Sequence, residues 1–571
     1  MRILSKPHRY RLVKDLSFYY VSNDEALTIL SSRQKKLVEG AVLYHSLIQP
    51  GRLLTYKIYL GGDWKYPRLT DISTLDGFLT EREGLVPVCE FEATSTVEPK
   101  SYFSSHYYLD EVPVVDSGVR YIALTPDDAV DDDAAIGREY TFKENLYRDL
   151  ETKHPLVLDY IRELTRRKRI HDSRQRIERI EGPDFDWANK KSKRPLAFIA
   201  PGKFDQNAPE AVIVAMHWLQ AGGAERWGME TVRLIKEAGM TPIVITNIDS
   251  HQPWITDQIL DDALVLNLTF PNQDRPGDEP LLRSLFEQFN VRGVLIHHNQ
   301  WMYDRLWWVK KYYPSTQVVD TLHILEYRWH GGFPVQAVRY DKFIDLHHVI
   351  SPQLEDWMVR VQGIESSKVV DAPLAGLTAG NENLVFKRRR EGAPFTVAFV
   401  GRMNRQKRPD AFVLLAERLG KAMPGVFHFI LHGSGDIDGV IESLLDNRSL
   451  RDTVEWRSID VPVAQTYADS DLLVITSVNE GITLTTFEAL SSGIPVISTD
   501  VGSQKTLVPS EALLGTCTGE FLNKATALIK KTNEDDAARE SLWSKECGML
   551  ADFNKLESAN HLFMRLLTSW K

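Results

Sequence analysis

Unbroken apolar runs recur from residue 211 onward: Ala211-Val212-Ile213-Val214-Ala215-Met216, Pro242-Ile243-Val244-Ile245-Thr246, Val294-Leu295-Ile296-His297, Val318-Val319-Asp320 and His348-Val349-Ile350. Amphipathic stretches such as 224–238 lie between them, punctuated by Gly222-Gly223. Apolar strands alternating with amphipathic helices predict parallel βαβ units, whose strands are buried on both faces. The pattern breaks at the charged Lys387-Arg388-Arg389-Arg390-Glu391-Gly392. It restarts with Thr396-Val397-Ala398-Phe399-Val400, Phe427-His428-Phe429-Ile430-Leu431, Leu472-Leu473-Val474-Ile475 and Pro495-Val496-Ile497-Ser498. Two doubly wound domains are expected, with a cleft at the carboxyl ends of their strands, where open α/β sheets bind ligands.

Residues 1 to about 160 read differently. Short alternating runs such as Leu53-Leu54-Thr55-Tyr56-Lys57-Ile58-Tyr59-Leu60 predict strands, and acidic loops follow around 127–133. From 155 to 180 the pattern is helical and strongly basic, with Arg166-Arg167-Lys168-Arg169 followed by Arg174, Arg176 and Arg179. Ile170 and Ile177 supply a thin apolar stripe, as in a plain scaffold helix; docking on anionic lipid or a polyanionic acceptor is the other reading. Gly182-Pro183 ends the helix, and Asn189-Lys190-Lys191-Ser192-Lys193-Arg194-Pro195 reads as a linker.

Composition narrows the classes. The 571 residues are 43% hydrophobic and 26% charged, so each domain can bury a core. A net charge of -10 gives no global field for nucleic acid. Three cysteines, Cys89, Cys517 and Cys547, are too few and scattered for a disulfide framework, which fits a reducing, cytoplasmic setting. No apolar stretch suits a signal peptide or a membrane span.

The chemistry concentrates after strands. In Asn479-Glu480-Gly481-Ile482-Thr483-Leu484-Thr485-Thr486-Phe487-Glu488-Ala489-Leu490, Glu480 sits in a turn where it can accept hydrogen bonds from ligand hydroxyls. Backbone N–H groups from Gly481 onward point out of a helix N-terminus toward an anion. Glu488 lies about two turns along the same helical face. In Phe399-Val400-Gly401-Arg402-Met403-Asn404-Arg405-Gln406-Lys407-Arg408-Pro409, glycine permits a tight turn and Arg402 and Lys407 offer cations for a diphosphate; Arg405 and Arg408 read as solvated. Gly222-Gly223-Ala224-Glu225-Arg226, Thr321-Leu322-His323 and Gly433-Ser434-Gly435 are further loops after strands. His297-His298 and His347-His348 are not read as metal pairs, because adjacent strand residues point to opposite faces. Asp131-Asp132-Asp133 reads as a solvated acidic run.

These segments resemble the Glu-x7-Glu, Gly-Arg-x4-Lys, Gly-Gly-Ala-Glu-Arg and Thr-x-His motifs of family-4 retaining glycosyltransferases (glycosyl transferase group 1). The resemblance covers about residue 211 to the C-terminus. It implies a GT-B fold with two facing Rossmann-like domains, here with an N-terminal accessory domain rich in strands. Boundaries are expected at 1–200 for the accessory domain with its basic helix and linker, 201–385 for the acceptor domain and 386–553 for the donor domain. Residues 554–571 are expected to form a helix crossing back to the acceptor domain.

The resemblance further implies Glu480, His323, Arg402 and Lys407 as catalytic groups. Arg402, Lys407, Glu480, Gly481, Ile482, Thr483, Leu484, Glu488 and Gly433 would bind the donor nucleotide sugar, with Gly222 and Gly223 as the first-domain glycine loop. No metal or other cofactor is implied; the co-substrate would be a UDP- or GDP-linked sugar and the acceptor a glycan, lipid-linked or protein acceptor. Cell-envelope or surface polysaccharide synthesis fits that context, with peripheral contact at the inner membrane face and oligomerisation through residues 1–200 as further expectations. The alternatives are a non-catalytic partner subunit of the same fold, or a sugar-nucleotide epimerase or phosphorylase. Two departures stand out: Ser503-Gln504-Lys505 where Gly-x-x-Glu is frequent, and Asp371-Ala372-Pro373-Leu374 at the domain junction.

Overall fold

Three sheets organise the chain. The computed structural model describes residues 18–61, 68–70, 85–98, 118–124, 126–127, 147, 150–182, 208–268, 278–374 and 384–571, apart from 221, 249, 328–330 and 391. The run Asp131-Asp132-Asp133 and the segment 189–195 lie outside the described residues.

The N-terminal sheet comprises β1 (Tyr19–Val21), β2 (Leu53–Gly61), β3 (Arg68–Thr70), β4 (Leu85–Ser95) and β5 (Val119–Leu124), in the order β1-β4-β2-β5-β3. Helix α1 (Ser32–Ile48) begins with a reciprocal cap: Ser31 accepts from the Gln34 N–H, and the Gln34 side chain accepts from the Ser31 N–H. The apolar side chains of α1 pack between this sheet and the next, so accessory and first Rossmann-like domain share one core. At Gly40 a Cβ would stand 3.0 Å from the Val265 carbonyl, which lets the helix lie close to the neighbouring sheet.

Helix α2 (Pro155–Asp172) follows. Sequence periodicity extends this helix to 180, but it stops at Asp172 because residues beyond Ser173 find partners on another surface. The Ile177 N–H donates to Gln362 Oε1 at 3.0 Å and the Ile180 N–H to the Arg339 carbonyl at 2.9 Å. Ile177 joins the core around Trp357 and Leu322, so Ile170 and Ile177 do not form one stripe of a helix.

The first Rossmann-like domain contains β6 (Glu210–Met216), α3 (Gly223–Glu237), β7 (Thr241–Thr246), β8 (Leu264–Asn267), α4 (Asp278–Gln288), β9 (Asn290–His297), β10 (Gln317–Leu322), α5 (Phe333–Arg339), β11 (Leu346–Val349) and β12 (Val369–Asp371). Its sheet is parallel, in the order β12-β11-β10-β9-β6-β7-β8. The order reverses between β6 and β9, which opens a crevice at their carboxyl ends, beside His217 and His298.

The second Rossmann-like domain contains β13 (Phe395–Val400), α6 (Pro409–Ala422), β14 (Phe427–His432), α7 (Asp438–Asn447), β15 (Val454–Arg457), α8 (Val463–Asp469), β16 (Leu472–Ile475), α9 (Leu484–Ser491), β17 (Val496–Thr499), β18 (Leu513–Leu514), α10 (Thr518–Glu534) and α11 (Asp536–Phe553). Its parallel order is β15-β14-β13-β16-β17-β18, with the switch between β13 and β16. Helix α12 (Ala559–Trp570) packs on the first domain: Phe563 meets Trp227 edge-on at 5.1 Å, and the Ala559 N–H donates to the Pro373 carbonyl at 2.8 Å. The two switch points face each other.

Candidate functional site

A cleft of about 860 Å³ lies between those switch points. Its second-domain wall is built from the loops that leave β13 and β16. The Gly401 N–H donates to the His432 carbonyl, and the Lys407 N–H to Asn404 Oδ1 at 3.0 Å, so the loop is folded before any ligand arrives. Lys407 Nζ donates to Glu480 Oε1 at 2.7 Å, joining the two loops through one ion pair. Glu480 is only 6% exposed. The pair with Lys407 supplies this buried side chain with a partner.

Gly481, Ile482, Thr483 and Leu484 continue the wall into α9, with Thr485 and Phe487 also lining it. Gln504 braces this entry: Thr483 Oγ1 donates to its Oε1, while its Nε2 donates to Thr486 Oγ1 and Ser498 Oγ. The departure at Ser503-Gln504-Lys505 thus places a buried amide behind the helix start. Glycine at 481 permits a close approach of the two domains, because a Cβ there would fall 1.9 Å from the His323 carbonyl oxygen. Adjacent bonds cross the same junction, from Asn479 Nδ2 to the Leu325 carbonyl at 2.9 Å and from the Gln353 N–H to Ser503 Oγ at 3.2 Å.

The first-domain wall carries His217, His298 and His323. The His217 Nδ1–H donates to the His298 carbonyl at 2.9 Å. The His298 ring stacks on Phe333 at 4.7 Å and meets His323 edge-on at 5.1 Å. Burial, reinforced by neighbouring histidines, holds His323 well below the usual imidazole range and pushes His298 down to about 3. These rings are neutral at pH 7. His323 Nε2 is buried without a hydrogen-bond partner among the described residues, so it is available to a ligand.

Of the residues singled out from sequence, Arg402, Lys407, Glu480, Gly481, Ile482, Thr483, Leu484, His323 and Gly223 line the cleft together. Glu488, Gly433 and Gly222 do not. The Glu488 carboxylate accepts from the Tyr467 hydroxyl at 2.7 Å, on the side of α9 that faces α8. Gly433 has a φ of 130°, and a Cβ there would lie 2.1 Å from the Gly401 carbonyl, so it supports the β13 loop from behind. Gly222 is the N-cap of α3.

Three groups escaped the sequence reading. Glu225 and Glu326 line the first-domain wall. Burial raises both carboxyl pKa values, with Arg402 pulling against it at Glu225. Arg408, read as solvated, is 4% exposed and donates to the Thr516 carbonyl at 2.7 Å. It also pairs with Asp159 of α2 at 3.3 Å, and Arg405 reaches Glu151 at 3.1 Å. Arg408 differs from the expectation because its partners, Thr516 and Asp159, are distant in the chain, whereas Arg405 remains exposed as expected while reaching Glu151. His347 and His348 separate as strand geometry demands: His347 sits between Asp320 and Asp341, whereas the His348 Nε2–H donates to the Ala372 carbonyl. His298, by contrast, lies past the end of β9 with a φ of 57°, so strand alternation does not govern the His297–His298 pair.

Residues 394–533 match the family model of glycosyl transferases group 1. The chain is 28% identical over 177 residues to the GtfA subunit of UDP-N-acetylglucosamine–peptide N-acetylglucosaminyltransferase from Streptococcus pneumoniae serotype 4, covering 30% of this chain and 33% of that one. It is 26% identical over 326 residues to a D-inositol 3-phosphate glycosyltransferase of Nocardia farcinica, covering 50% and 72%. Among solved structures, Anabaena HepE in complex with UDP-glucose superposes with a TM-score of 0.48 at 14% identity, over 63% of this chain and 98% of that one. The chain spans only about a third of the length of the GtfA relative. The matched residues 394–533 fall in the second Rossmann-like domain and include the Gly401–Lys407 and Glu480–Glu488 segments, whose motifs resemble that family.

Proposed function

We propose that this chain transfers a sugar, with retention of configuration, from a nucleotide-diphosphate sugar to a hydroxyl of a glycan, lipid-linked or protein acceptor. The observation that carries the reading is the convergence of Arg402, the Lys407–Glu480 pair and the start of α9 on one side of the cleft, opposite His323. The diphosphate would lie against Arg402, Lys407 and the N–H groups at the α9 terminus. As the glycosidic bond breaks, charge develops on the leaving phosphate, and fixed cations stabilise that state more than the ground state. The same cations would serve in place of a metal ion, so transfer should survive chelators.

The acceptor oxygen attacks the anomeric carbon on the face the phosphate leaves, and the phosphate oxygen takes the acceptor proton. Neutral His323 would hydrogen-bond the transferred sugar, and Glu480, positioned by its contact with Lys407, would accept from its hydroxyls. Glu488 would reach the ribose once ligand displaces or shares the Tyr467 contact. GtfA is named for UDP-N-acetylglucosamine, which makes UDP the first nucleotide to try. A cytoplasmic setting would give access to nucleotide sugars and to lipid-linked acceptors of the cell envelope.

The test is thermal melting with excess UDP, GDP and ADP, followed by transfer assays with the donor so identified. A nucleotide at a hundred times its dissociation constant should stabilise by about 2.7 kcal/mol. Arg402→Ala, at an exposed side chain of the cleft, should reduce that shift without lowering the unliganded midpoint. No shift with any nucleotide would refute donor binding; a shift without turnover on an acceptor panel would favour a non-catalytic subunit.

A further inference from the structure

Helix α2 is oriented against the usual rule. The side chains it buries include Asp159 and Glu163 as well as Pro155 and Leu158. Asp159 accepts from the Thr518 hydroxyl and Glu163 from the Thr516 hydroxyl, so carboxylates fasten the helix to the second Rossmann-like domain. Its large apolar residues are turned outward: Leu156, Val157, Tyr160, Ile161 and Leu164 are each between 48% and 60% exposed.

At 100° per residue these five side chains occupy an arc of about 140°. The next turns place Arg167, Lys168 and His171 within the same arc, all exposed, and no acidic residue of the helix falls inside it. One continuous face is therefore apolar for its first turns and carries the cations Arg167 and Lys168 toward its end, Arg167 also pairing with Glu163 at 2.9 Å.

We propose that this face of α2 docks on the surface of an anionic lipid bilayer, with the helix lying in the interface. The chemistry matches end to end. Leucine, valine and isoleucine enter the boundary between headgroups and acyl chains, the Tyr160 phenol sits at headgroup level, and the cationic turns meet lipid phosphates. The protein carries a net charge of -10, so attraction to such a surface must come from a local face. A protein partner is the weaker fit. Five half-exposed side chains on one convex helix offer well under the about 800 Å² per partner of a standard interface.

The apolar residues are anchored by a helix whose opposite side is fixed to the folded domain, so they reach the bilayer already ordered. This lowers the ordering cost that a disordered lipid-binding segment would carry. The inference rests on α2 alone and does not depend on the transferase reading.

The full-length protein is floated with vesicles of phosphatidylcholine and with vesicles of phosphatidylcholine containing phosphatidylglycerol. Binding is expected to the second kind, weakening as salt rises. Ile161→Asp combined with Leu164→Asp should weaken it at least about tenfold, and Lys168→Glu should weaken it several-fold. Both variants should keep the wild-type melting midpoint, since the altered side chains are exposed. Three results would each overturn the proposal: no binding to anionic vesicles, equal binding by the Ile161→Asp/Leu164→Asp variant, or a dimer by light scattering that the same variant dissociates. The last would show that a second copy covers the face.

Discussion

Gly481→Ala is a sharp test of whether the closed arrangement is the working one. The added Cβ would lie 1.9 Å from the His323 carbonyl oxygen, where 3.0 Å is the practical floor for such contacts. The atom it meets is backbone and cannot swing away, so the two loops must separate by at least about 1 Å. Gly481 does not occupy a left-handed conformation, so alanine suits its torsions and the close approach alone is perturbed.

The separation moves His323 away from Lys407 and Glu480 and lengthens the Asn479–Leu325 and Gln353–Ser503 bonds. A misplacement near 1 Å costs on the order of a hundredfold in rate, or about 2.7 kcal/mol. The assay is kcat/KM for transfer, measured beside nucleotide affinity by calorimetry. We expect kcat/KM to fall about a hundredfold while nucleotide affinity changes by less than about threefold, because the groups assigned to the diphosphate belong to the second domain. Transfer by Gly481→Ala within about threefold of wild type would refute the argument, and so would an equal loss in nucleotide affinity.

Two further outcomes follow from the site and its histidines. Lys407→Ala leaves the Glu480 carboxylate buried without its cation, so unfolding free energy by denaturant titration should drop by about 1–3 kcal/mol and kcat by about 10²–10³; Lys407→Arg should recover more of the stability than of the rate. His347 is pushed up to about 9 because Asp320 and Asp341 outweigh its burial. Its stabilisation is complete below the ordinary imidazole value and is lost as pH rises through about 9. Burial pushes His297 and His298 down to about 3 and His348 to about 4, so their effect is the reverse: stability is lost as pH falls below about 6.5 toward those values, by up to about 1.4 kcal/mol per pH unit each. Melting from pH 4 to pH 10 should therefore give a dome, with His347→Gln flattening only its alkaline limb.

The parallel sheets were legible because strands buried on both faces must be apolar throughout. Ala211–Met216 and Phe395–Val400 announce themselves by composition, and the loops that follow them carry the polar residues of the cleft. What remained hidden depends on distance along the chain. Glu225 and Arg402 are 177 positions apart and interact only once the domains close. The clearance at Gly481 is set by a carbonyl of another domain, a feature no local pattern encodes. Helix α2 misleads for a different reason: hydrophobic periodicity assumes that apolar faces are buried, and here Asp159, Glu163 and Glu151 make the contact through Thr518, Thr516, Arg405 and Arg408.

That inversion also bears on how the cleft is held. Residues 150–172 are fastened to the second domain by buried carboxylates, and the tail beyond Ser173 is fastened to the first. There the Trp357 indole donates to the Ser173 carbonyl, and Arg179 donates to the Gln362 and Gly363 carbonyls. At the other end of the chain, Phe553 belongs to the core of the second domain while Phe563 and Trp570 belong to that of the first. Trp570 occupies the space that a side chain at 293 would need, since a Cβ on Gly293 would lie 2.3 Å from its ring. Neither attachment can be released cheaply, because each would expose buried aromatic or charged groups. Among the described residues, the stretch near Ser173 and residues 554–558 are two of the segments that run between the domains. Since α2 bears the exposed apolar face, a surface that immobilises this helix would hold the second domain, to which its buried carboxylates are fastened.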